Sequence, residues 1–209
     1  VNEEHATMAD PLPHDHPPAS PLVGRDREQA TLRDHLAAAL AGHGSLVLIG
    51  GEAGVGKTAL AEWLLAEAAR GALALVGRCY DLTETPPYGP WSEALARVPR
   101  GADLPTSPDL AGGAGAASQA ALFAAVRDFL AAIATARPLV LLLDDLHWAD
   151  PASLDLLRVL AREARAARLD LRPLGDDDLR ALVRARHALP AADEDRLVAY
   201  LQGRAEGNP

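Results

Sequence analysis

Residues 45–58 read SLVLIGGEAGVGKT. The first six, SLVLIG, are a short apolar run bounded by glycines, the pattern of a strand buried on both faces. Gly51, Gly56, Lys57 and Thr58 then fit G-x-x-x-x-G-K-[ST], with Glu52, Ala53, Gly54 and Val55 in the variable positions. Glycines let the backbone turn tightly enough for successive N–H groups to converge on phosphate oxygens, and a helix opening at the end of the loop adds the positive pole of its dipole. The residues from Ala59, ALAEWLLAEAAR, are helical in composition and stop at Gly71. Strand, glycine loop and helix in that order predict an α/β fold, a P-loop three-layer sandwich around a parallel sheet.

Lys57 is the only lysine in a chain with 20 lysines and arginines. Its ammonium is a point charge suited to the β and γ phosphates of a bound triphosphate, which gives it a binding and a catalytic role. The Thr58 hydroxyl can complete Mg²⁺ coordination. The predicted phosphate site is therefore Gly51 to Thr58, with Ala59 at its edge.

A second apolar run, PLVLLLDD, ends in Asp144 and Asp145. An aliphatic strand of this kind carries Asp144 to the end of the sheet where phosphates would lie, so that its carboxylate can hold Mg²⁺ directly or through water. Asp145, one residue on, is placed to orient or deprotonate an attacking water. The competing assignment makes both aspartates N-terminal charges of the next helix, but Asp150 and Pro151 already open that helix.

The rest of the chain alternates in the same style. In LVGRDREQATLRDHLAAALAG, from Leu22, the residues Leu32, Leu36 and Leu40 recur every four positions before Gly42, which predicts an amphipathic helix. Residues 72–79 predict a second buried strand. Pro86, Pro87, Gly89 and Pro90 predict an irregular loop around Tyr88 and Trp91, followed by a helix over 92–98. Leu122, Val126, Phe129, Leu130 and Ile133 form a helical stripe over 119–137. Leu154, Leu157, Val159 and Leu160 lie on a further helix expected to run into AREARAAR, after which RLDLRPL reads as a strand. Helices over 176–187 and 193–202, each opened by acidic residues, are expected to begin a C-terminal subdomain over 173–209. The Pro, Gly and Ala-rich stretch 99–118 predicts a flexible surface loop, and the Pro-rich residues 1–20 a disordered tail in which His14 and His16 have no fixed geometry for a metal.

Composition bounds the function. Twenty basic and 29 acidic side chains give a net charge of −9, with 49% apolar residues, enough for a core. No basic cluster offers a footprint for a phosphate backbone, so direct contact with nucleic acid or an anionic membrane is not expected of this segment. A single cysteine, Cys79, permits no intrachain disulfide, and there is neither an early signal-like core nor a run of about 18 apolar residues. These features predict a cytoplasmic location. The missing initiator methionine and the end at Pro209 predict a fragment of a longer protein.

Together the strings LVGRDRE, GEAGVGKT, VGRCYDLTETPPYGPW, LLLDDLHWADPASLDLL and EGNP resemble the AAA ATPase domains of the STAND class, found at the front of large MalT-like and LuxR-type bacterial regulators, over Leu22 to Pro209. The resemblance implies that Val23, Gly24 and Arg25 sit beside the adenine and ribose. It implies that Gly207 and Pro209 match a Gly-x-Pro signature closing over the nucleotide, and that His147 and Trp148 buttress the acidic loop, although Trp148 could equally be plain core. It further implies an ATP-binding switch that hydrolyses ATP to ADP, possible self-association, and an effector domain outside this chain.

The sequence departs from that family at one place. Family members carry a further strand and helix before RLDLRPL, the strand ending in a polar sensor residue near the γ-phosphate and lying between the phosphate-loop strand and the Asp144 strand. Here AREARAAR runs straight into LDLRPL. Without that strand the sheet has a central vacancy or its neighbours pair directly, because unpaired buried backbone groups cost about 1–3 kcal/mol each. Direct pairing, a disturbed sheet or an incomplete sequence is expected. The alternative function is a scaffold that retains nucleotide without turnover. A small-molecule kinase is the weaker third reading, since the one segment resembling a lid, 99–118, holds only Arg100.

Overall fold

The computed structural model describes residues 22–81, 86–99, 105–110, 118–162 and 164–205. The predicted tail, most of the 99–118 stretch and the terminal EGNP, with Gly207 and Pro209, lie outside the described residues. The elements follow in the order α1 (Asp26–Leu40), β1 (Ser45–Gly50), α2 (Lys57–Ala68), β2 (Leu73–Arg78), α3 (Gly89–Ala96), α4 (Gln119–Ala136), β3 (Leu139–Asp144), a 3₁₀ turn (Leu146–Trp148), α5 (Pro151–Ala161), β4 (Arg165–Asp170), α6 (Asp176–Arg186) and α7 (Ala191–Ala205). This is an α/β fold with parallel strands.

The strands do not join into one sheet. β1 pairs in parallel with β4, from Ser45 opposite Arg165 to Gly50 opposite Asp170, and β2 pairs in parallel with β3, from Leu73 opposite Leu139 to Arg78 opposite Asp144. Of the sheet arrangements expected from the sequence, the disturbed sheet is the one found, and direct pairing of β1 with β3 does not occur. Each half-sheet has its own hydrophobic cluster: Val47, Ile49 and Leu169 pack with Leu32, Val55, Leu60 and Leu171, whereas Leu73, Leu139, Leu141 and Leu143 pack with residues that include Trp91, Phe123, Val126, Phe129, Ile133 and Leu156. α2 spans the two, with Leu60 and Leu64 in the first cluster and the helix also lying against β2 and β3.

Three local expectations are corrected. The helix predicted over 92–98 begins at Gly89, with Pro90 in its first turn, where a missing N–H is harmless. The helix expected to continue through AREARAAR ends at Ala161, and β4 starts at Arg165, three residues before the predicted strand. Pairing with β1 accounts for this, since Arg165, Ala166 and Ala167 meet Ser45, Leu46 and Val47 along the ladder. Leu40, expected on the apolar face of α1, is exposed, and Leu32 is the buried anchor.

α3 lies close against β2. A Cβ on Gly77 would stand 1.9 Å from the Pro90 carbonyl oxygen, so only glycine admits this approach. Trp91, fully buried, donates its indole N–H to the Ser153 carbonyl at 3.1 Å, tying α3 to α5. α4 is long and apolar enough by length and composition to cross a bilayer, but Phe123, Val126, Phe129 and Ile133 bury one face in the core and Arg127 and Asp128 interrupt it. α6 and α7 pack through Leu179, Val183 and Val198, a cluster separate from the other two.

Candidate functional site

The loop after β1 is built on left-handed glycines, with φ of +145° at Gly51, +78° at Gly54 and +96° at Gly56. A Cβ on Gly51 would also come within 2.9 Å of both the Leu171 carbonyl oxygen and Val55 Cγ1, so the loop is pinched against the end of β4. Val55 is wholly buried beside Leu32 and Leu60 and pins the loop from below. Glu52, Ala53 and Gly54 are exposed around it, and Ala59 is exposed in the first turn of α2. Lys57 folds back over the loop, donating from Nζ to the carbonyls of Gly51 at 3.0 Å and Glu52 at 2.7 Å.

The end of β3 comes to the same place. The Thr58 hydroxyl donates to the Asp144 carboxylate, 3.2 Å from Oδ2, joining the start of α2 to the end of β3 across 86 residues of sequence. The Asp145 N–H donates to Asp144 Oδ1 at 3.0 Å, and the Asp144 carbonyl accepts from the Cys79 N–H at 3.1 Å. Asp145 has a left-handed φ of +55°. Its carboxylate points to solvent, 3.9 Å from His147 Nδ1. The rings of His147 and Trp148 meet at a tilt of 47°, with 4.9 Å between their centroids. Trp148 is 43% exposed, which rules out its alternative reading as core. Asp150 caps α5 as the sequence suggested, accepting from the Ser153 N–H at 2.9 Å and the Ser153 hydroxyl at 2.5 Å; it also accepts from the Tyr88 N–H at 3.3 Å.

The resemblance implied that Val23, Gly24 and Arg25 sit beside the adenine and ribose; in the structure the Arg25 side chain serves the protein interior. Arg25 is 5% exposed and its guanidinium faces the protein, donating to the carbonyls of Val55 and Arg172, each at 2.8 Å. A Cβ on Gly24 would meet Asp178 Cγ at 2.4 Å, so this turn abuts the first turn of α6. Val23 is half-buried beside it.

Two groups here were not picked out from the sequence. Asp170, at the end of β4, lies opposite Gly50, and its Oδ1 would stand 2.5 Å from a Cβ there; Arg168 pairs with it at 2.9 Å. The alternation in Arg168-Leu169-Asp170 could have shown that both side chains share a face of the strand. Cys79 is buried, and desolvation, reinforced by the carboxylates of Asp150, Asp145, Asp144 and Glu93, pushes its thiol from 9.0 up to about 11.

A glycine cradle that a Cβ would fill, an ammonium lying on that cradle, and a hydroxyl touching a carboxylate are a donor set suited to a phosphate chain with a divalent cation. The hydroxyl and carboxylate are hard oxygen ligands of the kind Mg²⁺ takes. The fold and this site define a P-loop nucleotide-binding domain of the parallel α/β class. The chain belongs to the AAA ATPase domain family, whose match covers residues 21–174, and nucleotide binding follows from that membership. α6 and α7 lie beyond the matched residues. No curated protein matches the chain.

Proposed function

We propose that this chain is the ATP-binding switch module of a larger bacterial signalling or transcription-regulating protein of the STAND, MalT-like or LuxR-type kind, acting in the cytoplasm through an effector domain outside these residues. The observation that carries the reading is the Thr58–Asp144 contact, which unites the phosphate loop with the acidic strand end. In this proposal the backbone of Gly51 to Thr58 and the Lys57 ammonium hold the phosphates of ATP or ADP, while Thr58 and Asp144 hold Mg²⁺, which supplies charge neutralisation along the phosphate chain. Asp145, exposed beside them, accepts a proton from an attacking water. Arg25 links the loop to Arg172, and Gly24 abuts Asp178, so a change in the loop has a direct route to α6 and α7. Self-association through those helices is part of the same proposal.

A second reading, a scaffold that keeps nucleotide without turnover, draws on the split between β1 and β3, which leaves no polar strand end between the phosphate loop and Asp144. Single-turnover phosphate release decides between them. Release by the wild type that disappears in Asp145→Asn supports the switch that hydrolyses; tight binding without release supports the scaffold. Absence of any nucleotide binding overturns both.

A further inference from the structure

β3, which carries Asp144, pairs with β2 and not with β1, so the backbone behind the Asp144 carboxylate is held from the β2 side. Alternate residues of a strand turn their N–H and C=O groups to opposite edges. Leu73 and Cys79 donate to the carbonyls of Pro138 and Asp144, at 2.7 and 3.1 Å, so the odd-numbered positions along β2 face β3. Val76 and Arg78 face the other way, along an edge that no strand covers among the described residues.

α3 meets that edge with side chains. The close approach of Pro90 to Gly77 lays the helix on β2, and Trp91, Ala94 and Leu95 are buried beneath it. Glu93 and Arg97, at i and i+4, share the side that reaches the strand. Glu93 Oε2 accepts the Arg78 N–H at 2.9 Å, and the Arg97 guanidinium donates to the Val76 carbonyl. The two side chains also hold each other, Arg97 Nη2 donating to Glu93 Oε1 at 2.7 Å. An acceptor at Arg78 and a donor at Val76 are what a further strand would supply along this edge.

We infer that Glu93 is a positioning residue for the Asp144 carboxylate, acting through the end of β2; this rests on the Mg²⁺ role proposed above for Asp144. The path is short. Glu93 fixes the Arg78 N–H, and Arg78 lies opposite Asp144 in the ladder. The next residue, Cys79, donates its N–H to the Asp144 carbonyl, and the Asp144 carboxylate meets Thr58. The last rung is thus gripped from both edges, Arg78 by α3 and Cys79 by β3. Without Glu93 the Arg78 N–H turns to water, the end of β2 frays, and the Asp144 carbonyl loses its fixed donor. The glycine loop and Lys57 stand on β1 and α2, away from this rung. The effect therefore falls on the metal and spares the phosphates. Groups that orient metal ligands typically contribute about 10–100-fold to metal affinity.

The test compares wild type with Glu93→Ala and Glu93→Gln, the second keeping a side-chain oxygen for the Arg78 N–H. Amide exchange at Arg78 is followed in the nucleotide-free chain, and ATP binding is measured by calorimetry with and without Mg²⁺. Glu93→Ala is expected to exchange Arg78 about tenfold or more faster. It is also expected to lose about tenfold of the Mg²⁺-dependent gain in ATP affinity, with metal-free affinity unchanged. Glu93→Gln is expected to follow wild type in both. Unchanged Arg78 exchange in Glu93→Ala overturns the inference, as does a Gln variant that behaves like the Ala one. Equal losses of metal-free and Mg²⁺-bound affinity overturn it too, since they mark general loosening. A wild type that gains nothing from Mg²⁺ overturns the metal role of Asp144 instead, and the exchange comparison still decides whether Glu93 holds the strand end.

Discussion

Arg25 donates from Nη2 to the carbonyl of Val55 at 2.8 Å, so the phosphate loop is held from behind by a guanidinium that is itself almost fully buried. Its Nη1 holds the Arg172 carbonyl, also at 2.8 Å, and Glu28 lies 3.8 Å away. Arg25→Ala removes both donors and leaves two carbonyls without them, at about 1–3 kcal/mol each. The urea midpoint is expected to fall accordingly, with weaker nucleotide binding as the loop loosens. An unchanged midpoint would refute the structural role.

Lys57 rests on two loop carbonyls at the surface and Asp144 meets Thr58 in the open part of the site, so neither supports the core. Lys57→Ala is expected to keep the thermal midpoint and lose ATP binding in calorimetry. Asp144→Ala is expected to retain metal-free nucleotide affinity but show no gain from Mg²⁺. If Mg²⁺ strengthens binding to Asp144→Ala as much as to wild type, the metal lies elsewhere.

Gly51→Ala combines a left-handed φ with a Cβ pressed against the Leu171 carbonyl oxygen. Backbone strain of this kind costs about 1–3 kcal/mol. Both stability and nucleotide affinity are expected to drop, whereas Gly42→Ala, whose Cβ would meet nothing, loses only its backbone share. Equal losses for the two variants would show that the pinch at Leu171 is unimportant.

Cys79 should resist alkylation. Burial first, then the carboxylates around it, raise its pKa from 9.0 to about 11, which disfavours the thiolate in the folded state. At pH 9 an ordinary thiol is half ionised, while a thiol shifted by two units is about 1% ionised. Iodoacetamide should therefore modify the native protein about fiftyfold more slowly than the urea-unfolded chain at that pH, with the native rate climbing as pH rises from 9 towards 11. By linkage, the contribution of this group to stability is whole below pH 9 and is lost over the same interval. Equal native and unfolded rates at pH 9 would contradict the burial.

The parts of the fold legible in the sequence are those whose pattern is local. β1 over SLVLIG and β3 over LVLLLD match their apolar runs, and Gly51, Gly54 and Gly56 occupy the left-handed positions that a tight loop needs. The boundary of β4 was not legible, because Arg165, Ala166 and Ala167 have no strand-like character of their own and are extended by the ladder they form with β1. Arg25 was equally opaque. Its position in LVGRDRE says nothing of the carbonyls its side chain would reach, which come from residues 30 and 147 positions away.

The sequence alone determined the order of strand, loop and helix, the identity of the lone lysine at the loop's end, and the placing of two aspartates after an aliphatic strand, since each depends on spacing within a few residues. Tertiary structure alone decided that Thr58 meets Asp144, that Arg25 turns inward, and that β1 and β3 remain apart. Those outcomes depend on which distant surfaces bury each other. Each half of the sheet is seated on a hydrophobic cluster assembled from residues far apart in the sequence.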